Sequence, residues 1–136
     1  MPSYRTRVLG LQLYKFGCVG FLQWGYNFWY SQYSKRHINP FEITDAGEAF
    51  PSGDAFVVYP GEGGQPLVSL RYKVFYDAFQ DLSALKLLES KIGYEKTMEL
   101  IENRTGEPLS FVNYERGIES MLAKREAVNK AIEENI

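Results

Sequence analysis

Gly20-Phe21-Leu22-Gln23-Trp24-Gly25-Tyr26-Asn27-Phe28-Trp29-Tyr30 gathers both tryptophans of the chain into one short stretch, with a glycine near its middle. Aromatic and apolar residues at this density favour a pleated, half-buried backbone, so the stretch predicts a strand beginning at Phe21. The amides of Gln23 and Asn27 would cost on the order of a few kcal/mol if buried without partners, so something polar is expected to meet them. Flat rings beside amides suit a carbohydrate, whose C–H faces stack on aromatic rings while its hydroxyls exchange hydrogen bonds with amide groups. The plain alternative is an aromatic core strand, and local composition alone leans that way.

On the N-terminal side, Val8, Leu9, Leu11, Leu13, Tyr14 and Phe16 predict a helix from about Pro2, buried on much of its circumference, with Gly17 as its stop. On the C-terminal side, a long irregular segment from about Ser31 to Gln65 carries Pro40, Pro51, Pro60 and several glycines. Segments of this length are usually functional. Within it, Ala55-Phe56-Val57-Val58-Tyr59, bounded by Gly53-Asp54 and Pro60-Gly61, predicts a short strand. Leu70, Val74, Ala78, Leu82, Leu85 and Leu88 then form one stripe of a long helix from Ser69 to Ile92, with Ser69 as N-cap and Gly93 beyond its end. A further helix is expected from about Tyr94 to Glu102, a break at Thr105-Gly106, and a last helix from about Tyr114 to Glu134. No internal repeat or low-complexity tract stands out.

Two short strands cannot make a stable sheet unaided, so the order of elements reads as the end of a larger α/β array. The opening Met-Pro-Ser followed at once by a helix is consistent with a piece of a longer protein. At 136 residues the chain is long enough to bury a core without disulfides or a metal. Its 45% hydrophobic and 24% charged residues are ordinary for a globular domain, and the aromatic share of 15% is the outlier. A net charge of -2 gives no electrostatic reason to expect a nucleic acid partner. The single cysteine, Cys18, rules out a disulfide framework. Gln12 and Lys15 interrupt the first apolar run, which argues against a signal peptide, and no window is apolar enough for a membrane span. Taken alone the chain reads as soluble and cytoplasmic, whereas the compartment of a longer parent is unknown.

The carboxylates Glu42, Asp45, Glu48, Asp54 and Glu62 could be searched for the pair that glycoside hydrolysis commonly uses, but their spacing is not diagnostic, and acidic residues in such a loop mostly cap turns. Asp54 stands out, at the entry to the short strand. Cys18 and His37 are the only residues of their kinds; nothing adjacent would activate the thiol, and a zinc site fails on ligand count. Gly61-Glu62-Gly63-Gly64 lacks the Lys-Ser/Thr ending of a phosphate loop and reads as a turn. No metal or cofactor is called for. Arg71 sits in the first turn of the long helix, where a cation is mildly unfavourable, so a specific structural partner is expected for it, a buried carboxylate or a backbone carbonyl.

Taken in order, Gly20–Trp29, Asn39-Pro40-Phe41, Gly53-Asp54-Ala55-Phe56-Val57-Val58-Tyr59-Pro60-Gly61, Ser69-Leu70-Arg71 and Gln80-Asp81 resemble the C-terminal end of the catalytic domain of glycoside hydrolase family 123 and its uncharacterised relatives. The resemblance runs from about Pro2 to Leu88. It implies a (β/α)8 barrel of about 250 residues or more, of which this chain is the last third or less. The fold class expected is thus α/β: a C-terminal barrel fragment, mostly helical, with a final barrel strand at Phe21 and a short accessory strand. Residues 1–93 would end the barrel and 94–136 would form a C-terminal helical extension. In such barrels the site lies at the C-terminal ends of the strands, which places Trp24, Tyr26, Asn27 and Trp29 near the substrate, with Asp54 as a loop contact.

The resemblance further implies cleavage of N-acetyl-β-galactosaminides by substrate assistance, in which the acetamido group is the nucleophile and an adjacent Asp-Glu pair on an earlier strand polarises it and supplies the proton. No Asp-Glu dipeptide occurs in this sequence. No catalytic residue is therefore assigned, and the chain alone is expected not to turn over substrate. Its expected partners are a carbohydrate, the remainder of the barrel and, through open strand edges, a second copy of itself. The alternative is a non-catalytic α/β protein-interaction module.

Overall fold

A computed structural model of the chain describes residues 3–104 and 106–136. The expected helix start at Pro2 and the Thr105 half of the Thr105-Gly106 break lie outside those residues. The first apolar run forms α1 (Ser3–Arg7) and α2 (Leu9–Lys15), joined through Val8, which keeps right-handed helical angles at φ −58°, ψ −19°. Gly17, at φ +59°, ends the helix by a double closure: its own N–H donates to Tyr14 at 3.1 Å and that of Cys18 to Leu13 at 2.9 Å. An L side chain resists that backbone angle, which is why glycine is the stop.

Contacts divide the chain into two units, Phe21–Lys73 and residues 3–20 with 74–136.

The larger unit is helical. Besides α1 and α2 it holds most of α3 (Leu70–Ile92), α4 (Tyr94–Ile101) and α5 (Ile118–Glu133). Its core contains Val8, Leu11, Tyr14, Leu85, Leu88, Met98, Ile101, Leu109, Met121 and Val128. The stripe predicted for α3 is buried from Ala78 onward, at Ala78, Leu85 and Leu88, whereas Leu70 at its start is exposed. Gly10 of α2 permits a close crossing, since a Cβ there would lie 2.1 Å from the Ala78 carbonyl oxygen of α3. Asp81, also on α3 and 3% exposed, accepts from Arg7 Nε at 2.8 Å, Arg7 Nη2 at 3.1 Å and Arg125 Nη1 at 2.8 Å, and so clamps three helices around one carboxylate. The last helix starts at Ile118, later than the expected start at about Tyr114. Gly117, at φ +114°, is its N-cap residue, and Glu115 is held outside the helix by Ser120, the Arg104 N–H and buried Lys124.

The smaller unit contains one antiparallel hairpin, β1 (Val58–Pro60) with β2 (Pro66–Val68), in register Val58 with Val68 and Pro60 with Pro66. Its connection is the 3-10 turn Glu62–Gly64, so the glycine run is indeed a turn. β2 was not anticipated, and its three residues are exposed.

The aromatic stretch does not form the expected barrel strand. The described architecture is mixed helix with a small two-stranded antiparallel sheet, not a barrel. The stretch is extended but makes only isolated bridges, Asn27 with Phe56 and Tyr30 with His37. Two local features break the ladder. The Tyr26 carbonyl takes the N–H groups of both Val57 and Val58, at 2.8 and 3.2 Å, and the Trp29 N–H turns back to the Asn27 carbonyl at 2.9 Å, which folds the chain at Phe28. Aromatic composition reports burial on one face but is blind to such turns.

Candidate functional site

The aromatic stretch is fixed in place by Gly25. That residue is buried, and a Cβ on it would lie 2.5 Å from the Ala55 carbonyl carbon and oxygen and 2.6 Å from the Asp54 oxygen. Two backbones therefore run in direct contact, which only glycine permits. Gln23 donates from Nε2 to the Asp54 carbonyl at 3.0 Å, and the Phe28 N–H donates to Ala55 at 3.1 Å. The polar partner that the Gln23 amide demanded is thus the Asp54 backbone.

Trp24, Phe28 and Tyr30 form a chain of rings. Phe50 lies 4.9 Å from Trp24, Trp24 5.7 Å from Phe28, Phe28 5.8 Å from Tyr30, and Tyr30 4.1 Å from His37, centroid to centroid. Trp24 remains 48% exposed and Tyr26 49% exposed. The Trp24 indole N–H donates to Asp54 Oδ2 at 3.0 Å, which brings two candidate site residues together. Asn27 is exposed.

Trp29 is placed differently. It packs against the buried cluster of Ala46, Ala55 and Phe56, and its indole N–H donates to the Val58 carbonyl at 3.0 Å. Phe28, Phe50 and Tyr30 carry no assignment from the sequence, and His37 enters there only as the sole histidine, weighed with Cys18. The period-2 spacing of Trp24, Tyr26, Phe28 and Tyr30 carried the signal for two of them; Phe50 and His37 arrive by loop geometry, which has no such signal.

Arg71 finds a backbone carbonyl. Its Nη2 donates to Phe56, and Gly53, at φ +79°, leaves the space: a Cβ there would lie 2.1 Å from Arg71 Nη1. Burial pushes the Arg71 guanidinium below its usual pKa, a shift opposed by Tyr59 and Asp54. The arginine thereby ties the start of α3 to the strand segment that follows Asp54.

Two open concavities elsewhere belong to the helical unit. One is lined by residues that include Asn103, Arg104, Glu115 and Ser120, the other by Tyr4, Gln12, Phe111 and Arg116; none of the aromatic-stretch residues lines either. Among the described residues no three His, Cys, Asp or Glu side chains converge as a metal would require. No described helix is long and apolar enough to cross a membrane. No curated protein matches the chain. The first helix, the aromatic stretch, the Gly53-Asp54 turn and the greater part of α3 all fall within residues 1–88, which match the family described as Glycoside hydrolase 123, catalytic domain, and the chain belongs to that family of glycoside hydrolases.

Proposed function

We propose that this chain is the C-terminal part of a barrel enzyme acting on N-acetyl-β-hexosaminides, galactosaminides in the first instance, and that it supplies a sugar-binding wall but no catalytic acid. Trp24 and Tyr26 present ring surface, Asn27 supplies hydrogen bonds, and Trp29 adds whatever ring surface its packing leaves open. The observation that carries the reading is the exposed Trp24 indole, backed by Phe50 and Phe28 and anchored through its N–H to Asp54. Large exposed aromatic surface held rigidly is costly to keep in water and binds flat apolar faces at low entropic cost. The family's substrate-assisted step needs an adjacent Asp-Glu pair, and none occurs in these 136 residues, so that step belongs to another part of the barrel.

The test is a titration of the chain with N-acetylgalactosamine and with N-acetylglucosamine, followed by tryptophan fluorescence. A saturable change that Trp24→Ala abolishes supports the wall. An unresponsive wild type, in a chain shown to be folded, removes it.

A further inference from the structure

We propose that Asp54 is a positioning residue for Trp24, setting the plane in which the indole meets a neutral pyranose; this deepens the sugar-wall reading above and rests on it. The geometry makes Asp54 a fixed post. Its N–H donates to Pro51 at 2.9 Å, and its carbonyl receives Gln23 Nε2 at 3.0 Å. The preceding Gly53, at φ +79°, lies against the Arg71 guanidinium, which leaves no room for the turn to be rebuilt with a side chain. The far side of the pair is equally constrained, because Gly25 presses against the backbone of Asp54 and Ala55 and so fixes the main chain next to Trp24.

Between these two fixed backbones the indole has few degrees of freedom left. Phe50 and Phe28 lie tilted at 58° and 56° to it and bound it from within its own unit. They restrict the ring without selecting one rotation, since edge and face packing of aromatic rings differ little in energy. The Nε1 to Oδ2 hydrogen bond of 3.0 Å is directional and does select one. A ring already held in one orientation loses little freedom when a sugar stacks on it. Asp54 thereby acts on the ligand through Trp24.

Asp54→Asn and Asp54→Leu test this in the intact chain, with Trp24→Ala as reference and circular dichroism as the check on folding. The two readouts are affinity for N-acetylgalactosamine and solvent exchange of the Trp24 indole N–H, assigned by its loss in Trp24→Ala. Asparagine keeps an acceptor oxygen and leucine does not. The expected result is a loss of affinity of roughly 3- to 10-fold in Asp54→Leu with faster indole exchange, and near wild-type values for both readouts in Asp54→Asn. If Asp54→Leu does not fold, Asp54→Asn decides, because slow indole exchange together with retained affinity is required of it. Wild-type affinity in Asp54→Leu, with loss in Trp24→Ala, overturns the positioning role and leaves the wall standing. Affinity lost in Asp54→Asn while its indole stays protected also overturns it, since Asp54 then acts by direct contact. No response in the wild type removes both.

Discussion

Gly25 is where one residue decides the most. Its Cβ position is filled by the backbone of Ala55, and backbone cannot rotate aside as a side chain can. Gly25→Ala is expected to destabilise the fold by about 1–3 kcal/mol, read as a lower urea midpoint at unchanged slope. Glu115 is the second such residue, through its charge. The Ser120 hydroxyl, then the Arg104 N–H and Lys124, outweigh its partial burial and hold its carboxyl down at about 2 from an ordinary 4.5. The folded value is the lower one, so the stabilisation is present above pH 4.5 and is lost as the pH falls toward 2. Glu115→Gln should therefore be less stable than wild type at pH 7, with the gap closing in denaturant titrations carried toward pH 2.

At the level of elements, Asp81 links α1, α3 and α5 through one buried carboxylate. Asp81→Ala would leave the guanidinium groups of Arg7 and Arg125 without their carboxylate, and about 3 kcal/mol of stability is expected to go with it, measurable by thermal or chemical denaturation. The helices themselves were largely legible in the sequence. Ser69 caps α3 as its position predicts, its hydroxyl accepting from the Tyr72 N–H at 3.1 Å, and Gly17 and Gly93 end their helices with positive φ. Those signals are local, confined to a turn of chain, so sequence carries them in full. The strand expected at Phe21 does not form because pairing is not local: the double acceptance at Tyr26 depends on Val57 and Val58, some thirty residues away in sequence. The meeting of Trp24 with Asp54 is not legible in the sequence for the same reason, since the two residues lie thirty positions apart. β2 was missed because Pro66-Leu67-Val68 is too short to show any period.

Taken whole, the chain leaves many large apolar side chains exposed. Leu22, Leu67 and Val68 are among its exposed large side chains, and β2 pairs on one edge only. We expect it to self-associate, and light scattering that shows a monodisperse monomer at high concentration would count against this. We expect no hydrolysis of an aryl N-acetyl-β-galactosaminide by the chain alone, checked by release of the aryl leaving group over hours. The Asp81 clamp has a consequence on a longer timescale. Losing Asp81 leaves two guanidinium groups without their carboxylate, and once either arginine is lost the next replacement strands the remaining charge, so no sequence of single replacements passes smoothly from this trio to an apolar one. Among diverging descendants, positions 7, 81 and 125 should change together or stay frozen, and a lineage that has exchanged all three for hydrocarbon should have done so through an intermediate stabilised elsewhere.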